Sequence, residues 1–230
     1  MTSECSLDIS SVAIGLADAA ADSHSYPAGV RLFIQGARAD AVYLIQKGLV
    51  KLTRSEANGH EVIVDLKFPE SFVGSAAAIG EAYHPFTAIT ATRCKLTRWN
   101  CRGFLLRLAT DDLFSKYVVN ALSNEVIDHI AHISQLACLP ARQRLEQFLW
   151  QLGERLEPGT ILEQSSGEAK LQLPLKHSEV ADLLSVTPTY LCRLFNSLEA
   201  DNVIERSKGW IVIKRSELWH SSIGRSVSGS

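Results

Sequence analysis

Residues Leu175 to Ile213 read LKHSEVADLLSVTPTYLCRLFNSLEADNVIERSKGWIVI, and two helical periodicities meet inside this stretch. Val180, Leu183 and Leu184 recur at helical spacing, and Leu191, Leu194, Phe195 and Leu198 do so again. Thr187 supplies an N-cap, and Pro188 then falls at the first helical position, where its missing N–H costs nothing. That start signal leaves only a turn around Ser185 and Val186, and small Ala181 lets the two helices cross closely. The pattern predicts a helix-turn-helix, a motif whose second helix places its N-terminal residues in the DNA major groove. Two β runs, Val203-Ile204 and Trp210 to Ile213, flank Glu205 to Gly209 and predict a wing carrying Arg206 and Lys208.

The second helix would expose Thr189, Tyr190, Arg193 and Asn196 on one face. The planar fork of Arg matches guanine O6 and N7, so Arg193, with Thr189, is the candidate for base contact; the competing reading is a phosphate contact by Arg193. Arg142, His177, Thr187, Tyr190, Arg206 and Lys208 are candidates for phosphate contact. The motif is not a basic arm. Lys176, Arg193, Arg206, Lys208, Lys214 and Arg215 are balanced by Glu179, Asp182, Glu199, Asp201 and Glu205, so useful affinity requires dimerisation. Cys192 adjoins Arg193, where oxidation would obstruct the groove; it is the redox candidate, with a small inert filler as the competing role, and Cys138 has a weaker case.

Working outward, 230 residues suit one large domain or two small ones, and a net charge of −2 implies no bulk attraction to nucleic acid or membrane. Five scattered cysteines with no C-x-x-C fit reduced thiols in a cytoplasm rather than a disulfide framework or a zinc or iron–sulfur pattern. No apolar run can span a bilayer and the N-terminus has no signal-peptide pattern, so a cytoplasmic protein without a membrane partner is expected. Residues 1–22 are a poorly patterned N-terminal segment. Over residues 23–111 short β runs predict a roll: Val30 to Ile34, Ala41 to Ile45, Leu49 to Thr53, Glu61 to Leu66, and Thr87 to Trp99, with a hairpin signal at Asn58-Gly59.

Residues 112–138 predict one long helix with two apolar faces. Phe114, Tyr117, Ala121 and Ile130 suit the roll, whereas Val118, Leu122, Val126, Ile133 and Leu136 form the expected dimer interface with a second copy. Leu139-Pro140 breaks the helix as a hinge, residues 139–216 form the winged helix-turn-helix domain, and residues 217–230 are a polar C-terminal tail. The fold class expected is α+β: a jelly-roll-like β-roll, a dimerisation helix and a winged helix-turn-helix.

This order resembles the Crp–Fnr superfamily of bacterial transcription regulators over about Tyr26 to Ile213. The resemblance is carried by glycines 29, 36, 48, 59 and 74, by Leu139 to Leu145 (LPARQRL), and by Ser178 to Ala181 through Thr187 to Leu194. It implies a homodimer on a palindromic operator in double-stranded DNA, a cyclic-nucleotide-binding-like roll, RNA polymerase as a partner, and activation of transcription. In members that bind cyclic nucleotide, a Gly-Glu in the roll takes the ribose and a following Arg with Ser or Thr takes the phosphate. Here Gly74 is kept, but Ser75 replaces the acid and Pro85-Phe86 the Arg pair, while His129-Ile130 stands where cyclic-AMP binders place Thr-Ser. Phe72, Gly74, Ser75, His84, Pro85, Phe86, Thr87 and His129 therefore mark the effector pocket, if one exists, and argue against cyclic AMP. Cys5 alone cannot supply an iron–sulfur cluster. Haem held by His84 stays open, as does a metal on His129 and His132, one helical turn apart, although no metal is expected. The rival readings are a roll that senses a small molecule or haem to control DNA binding, and a cupin-like enzyme. A cupin needs a His-x-His with further ligands, whereas the roll offers only His60 and His84, so no enzymatic activity is expected.

Overall fold

The unbroken apolar run Ala41 to Ile45 is explained by a strand covered on both faces. The structure is a computed structural model that describes residues 21–56, 59–155, 161–163, 169–207 and 210–214. The N-terminal residues 1–20, the tail 217–230, Asn58 and the wing-tip Lys208 lie outside the described residues. The roll comprises β1 (Ala21–Tyr26), β2 (Arg31–Phe33), β3 (Ala41–Lys47), β4 (Val50–Ser55), β5 (Glu61–Lys67), β6 (Phe72–Val73), β7 (Thr87–Thr90) and β8 (Cys94–Asn100). They form two antiparallel sheets, ordered β1-β8-β3-β6 and β2-β7-β4-β5. Ala41, Tyr43 and Ile45 of β3 pack between the sheets with Val50, Leu52, Ala88 and Leu96. Val42 and Leu44 point the other way, onto Phe72, Trp99, Phe104, Phe114 and Val118.

That second cluster holds the helices to the roll. Asn100 caps α1 (Cys101–Thr110) by accepting from the Gly103 N–H at 2.7 Å, and α2 (Asp112–Cys138) follows after Asp111. The Trp99 and Phe114 rings lie 5.7 Å apart, as do Phe104 and Phe114. Each of these fully buried aromatics contributes roughly 1.5–3 kcal/mol through burial alone. Among the elements that escape the sequence reading are β1, the two-residue β6, the helical turn Ala77–Glu81, and α1, whose ten residues follow β8 with no breaker between them.

The expected dimer seam needs correction. Val118 is 1% exposed, and with half-buried Leu122 it packs on the same roll cluster as Phe114, Tyr117 and Ala121. Residues 114, 117, 118, 121 and 122 span a single face at helical spacing, so Val118 cannot also reach a second copy. Ile130, expected against the roll, is instead 62% exposed. The outward apolar stripe is Val119, Val126, Ile130 and Ile133, at spacings of seven, four and three, with Ile127 beside it.

The chain divides into two compact units, residues 1–134 and 135–230, so the last turn of α2 belongs with the second. There α3 (Ala141–Arg155) buries Leu145, Leu149 and Leu152. A sheet ordered β11-β12-β10-β9 joins β9 (Ile161–Glu163), β10 (Ala169–Gln172), β11 (Ile204–Ser207) and β12 (Trp210–Ile213). The helices α4 (His177–Leu183) and α5 (Pro188–Ala200) pack beside it. Leu139-Pro140 does break the long helix, yet it is not a loose joint. Arg144 of α3 donates to the carbonyls of Leu136 at 3.2 Å and Leu139 at 3.1 Å, and to that of Leu184 at 3.0 Å.

Candidate nucleic-acid interface and roll pocket

The helix-turn-helix is built as its residues require. Thr187 Oγ1 accepts from the Tyr190 N–H at 3.2 Å, Pro188 opens α5, and Ser185 adopts φ +51° in the turn. The Val186 N–H reaches the Ala181 carbonyl at 2.9 Å, closing the turn. Leu191, Leu194, Phe195 and Leu198 are buried, which turns Thr189, Tyr190, Cys192, Arg193 and Asn196 outward. Thr189, Arg193 and Asn196 follow one another at spacings of four and three along the middle of that face. Among the described residues, Arg193 makes no hydrogen bond or ion pair, so its guanidinium can meet a partner outside the chain.

Two expected phosphate ligands are engaged within the chain instead. Arg142 bonds Ser197 Oγ at 2.9 Å and Glu146 at 3.1 Å and pairs with Asp201, tying α3 to the end of α5. Arg206 bonds both Asn196 and Glu199 and lies over the Phe195 ring at 5.3 Å. The Arg206 hydrogen bond holds the Glu199 carboxyl below the usual carboxylate range. Glu146 is an i,i+4 partner on the same helix, but the other two carboxylates do not announce themselves on one helical turn: Arg142 and Asp201 are 59 residues apart, and Arg206 and Glu199 lie on different elements. His177, exposed at the start of α4, stacks on Phe195 at 5.4 Å and lines a cavity of about 380 Å³ with Arg206, Ser207 and Trp210. Cys192 and Cys138 are both exposed.

In the roll, the expected effector residues have different surroundings. Phe72 faces the helices, Pro85 is exposed, and Ser75 and Thr87 are buried. Thr87 Oγ1 accepts from the Gln35 N–H at 3.0 Å. Half-buried Phe86 packs on the inter-sheet core. His84, only 2% exposed, stacks on Phe33 with ring centroids 3.7 Å apart, and neither ring nitrogen has a partner among the described residues. Burial lowers its pKa, against the weaker opposing pull of Asp40, so the ring is held towards its neutral form. Gly74 has φ +90°, and a Cβ there would meet Ala41 O at 3.0 Å and Phe33 and His84 at 3.3 and 3.4 Å. The space beside Gly74 is filled by this stack.

His129 is likewise drawn elsewhere than expected, to Asp65 of β5 at 2.9 Å. Lys67, 5% exposed, bonds Asp65 at 2.7 Å and also Glu125 of α2. Burial pushes the Asp65 carboxyl up, but the Lys67 charge and the hydrogen bonds from Lys67 and His129 outweigh it and hold the pKa below the usual value. The ligand atoms of Asp65, Glu125 and His129 lie within 4.8 Å of one another, but the Lys67 ammonium already bonds both carboxylates and would oppose a metal ion there. This four-residue network was missed from sequence because Asp65 and Lys67 alternate on a strand read only for its apolar residues.

Residues 23–111 match the cyclic nucleotide-binding domain family, and residues 143–219 match the Crp-like helix-turn-helix domain family. The chain is 24% identical over 184 residues to the transcriptional activator protein FnrL of Cereibacter sphaeroides, covering 78% of this chain and 71% of that protein. It is 22% identical over 193 residues to the cyclic AMP receptor protein of Thermus thermophilus, covering 84% of each. Among solved structures, the c-di-GMP responsive global regulator CLP of Xanthomonas campestris shares the fold with TM-score 0.72 and 20% identity, covering 91% of this chain and 100% of that one. FixK2 of Bradyrhizobium japonicum gives the same TM-score at 16% identity, covering 90% and 99%.

Proposed function

Because the chain belongs to the Crp–Fnr superfamily of DNA-binding transcription regulators, we propose that it works as a cytoplasmic homodimer on a palindromic promoter site, without cyclic AMP. The observation that carries this reading is the outward stripe of α2: Val126, Ile130 and Ile133 are 56%, 62% and 65% exposed at heptad-like spacing. Covering that stripe with the same stripe of a second copy buries it by the simplest symmetry, a two-fold axis. Two recognition helices about 34 Å apart then meet successive major grooves. Arg193 and Thr189 read bases, while Thr187, Tyr190 and His177 position the backbone. Activation through RNA polymerase follows the family pattern, and the geometry calls for no catalytic role. No described helix is long and apolar enough to cross a membrane.

Independence from cyclic AMP rests on the roll. A cyclic phosphate must exchange its hydration for charge-assisted donors. Pro85 has no N–H, the Phe33–His84 stack fills the space beside Gly74, and His129 already bonds Asp65.

The test is sedimentation and operator binding of the full chain and of Val126→Glu, each with and without cyclic AMP. The parent should sediment as a dimer and bind its operator equally in both conditions. The variant should sediment as a monomer with affinity reduced at least a hundredfold. A Val126→Glu dimer would place the seam elsewhere; tighter operator binding with cyclic AMP would refute the roll reading.

A further inference from the structure

Arg206 was expected to face DNA, but its guanidinium is turned back onto α5. Its backbone N–H donates to Glu199 Oε1 at 3.0 Å, its Nη2 bonds the other Glu199 oxygen, and the same Nη2 reaches Asn196 Oδ1 at 2.6 Å. The fully buried Phe195 ring supports the cation from below, 5.3 Å away. Asn196 itself is exposed, three residues after Arg193 and seven after Thr189. The stripe Thr189-Arg193-Asn196 thus runs about 10 Å along the outer face of α5.

The chemistry of the two groups fixes how Asn196 is presented. A guanidinium carries donors and no acceptor, so only the carbonyl oxygen of the amide can face it. The Nδ2 group, with both its N–H donors, is then directed away from Arg206. Asparagine recognises adenine by accepting from N6–H with Oδ1 while donating to N7 with Nδ2. Arg206 takes one of the two lone pairs of Oδ1, which fixes how the amide is turned and leaves the two Nδ2 donors leading.

We infer that Asn196 meets the operator with its Nδ2 donors, and that Arg206 is the positioning residue that turns the amide this way. Its target is an acceptor on DNA: guanine O6 or N7, adenine N7, thymine O4, or a phosphate oxygen. The inference rests on the reading of α5 as the DNA-contacting helix.

Asn196→Asp separates a positioned donor from a structural contact. The carboxylate keeps, and strengthens, the bond to Arg206, but it has no donor and offers negative charge to the DNA. Operator affinity should fall at least tenfold, and further than in Asn196→Ala, with far-UV circular dichroism and the urea midpoint unchanged. Because the new charge alone repels DNA, Asn196→Ala is the neutral control: parental affinity in Asn196→Ala would make Asn196 purely structural and would overturn the inference. Arg206→Met should weaken binding only while Asn196 is present, so that the double variant Arg206→Met/Asn196→Ala binds no worse than Asn196→Ala; additive losses would also overturn it. Single-base operator variants identify the acceptor. Loss at one base pair per half-site marks a base acceptor, and uniform loss marks a phosphate. A parent that binds no DNA fragment would instead refute the reading on which the inference depends.

Discussion

The outer face of α5 and the space beside Gly74 in the roll are opposite kinds of surface. On α5, Thr189, Tyr190 and Arg193 are exposed, and Arg193 has no intramolecular partner among the described residues. In the roll, His84, Ser75 and Thr87 are buried, and the one aromatic pair at hand, Phe33 and His84, is stacked on itself. The first arrangement is incomplete without another molecule. The second is closed over by its own side chains, apart from the two His84 ring nitrogens, which find no partner among the described residues.

The sharpest way to break this contrast is at the buried end of the roll network. Lys67→Met would leave Asp65 and Glu125 facing each other without their cation, and should cost about 2–4 kcal/mol of stability. Urea unfolding of the full chain measures it; an unchanged midpoint would mean that the two carboxylates find water instead. Next in size, Arg193→Ala should cost about 1–3 kcal/mol at the cognate operator and relax specificity at one base pair per half-site. Titration against single-base operator variants decides, and a loss shared equally by all variants would make Arg193 a phosphate contact.

The smallest effect concerns His84. Burial depresses its folded-state pKa below the unfolded value near 6.5, so the unfolded chain takes up a proton that the native chain refuses. The stabilisation is complete above the unfolded pKa and is lost as pH falls towards the folded one, with a slope no steeper than about 1.4 kcal/mol per pH unit. Replacing His84 with Phe, which keeps a ring against Phe33, should flatten the stability profile below about pH 6.5 relative to the parent. Parallel profiles would show that His84 opens to solvent.

The sequence was most legible where a local rule acts alone. The N-cap at Thr187 and the proline at N1 located the start of α5 to the residue, the 3.6-residue period its buried face, and the β runs on either side of Asn58-Gly59 located the β4–β5 hairpin. It was least legible where two faces compete for the same residue type. Val118 and Val119 are chemically identical and adjacent, and only the roll cluster decides that Val118 turns inward and Val119 outward. The outward stripe was nevertheless readable in principle, since Val119, Val126 and Ile133 recur every seven residues. The roles of Arg142, Arg206 and His129 were hidden for a different reason. Each is decided by a carboxylate on another element, and no periodicity within one element reports such a pairing.

Arg144 gives the long helix a mechanical character that its proline break conceals. Three carbonyls, from Leu136, Leu139 and Leu184, converge on one guanidinium, so the last turn of α2, the start of α3 and the end of α4 move as a single piece. Bending at Leu139-Pro140 would have to tear those bonds, each worth about 1.5–3 kcal/mol when the donor is charged. Within the second unit the proline therefore turns the chain without loosening it, as a welded elbow does.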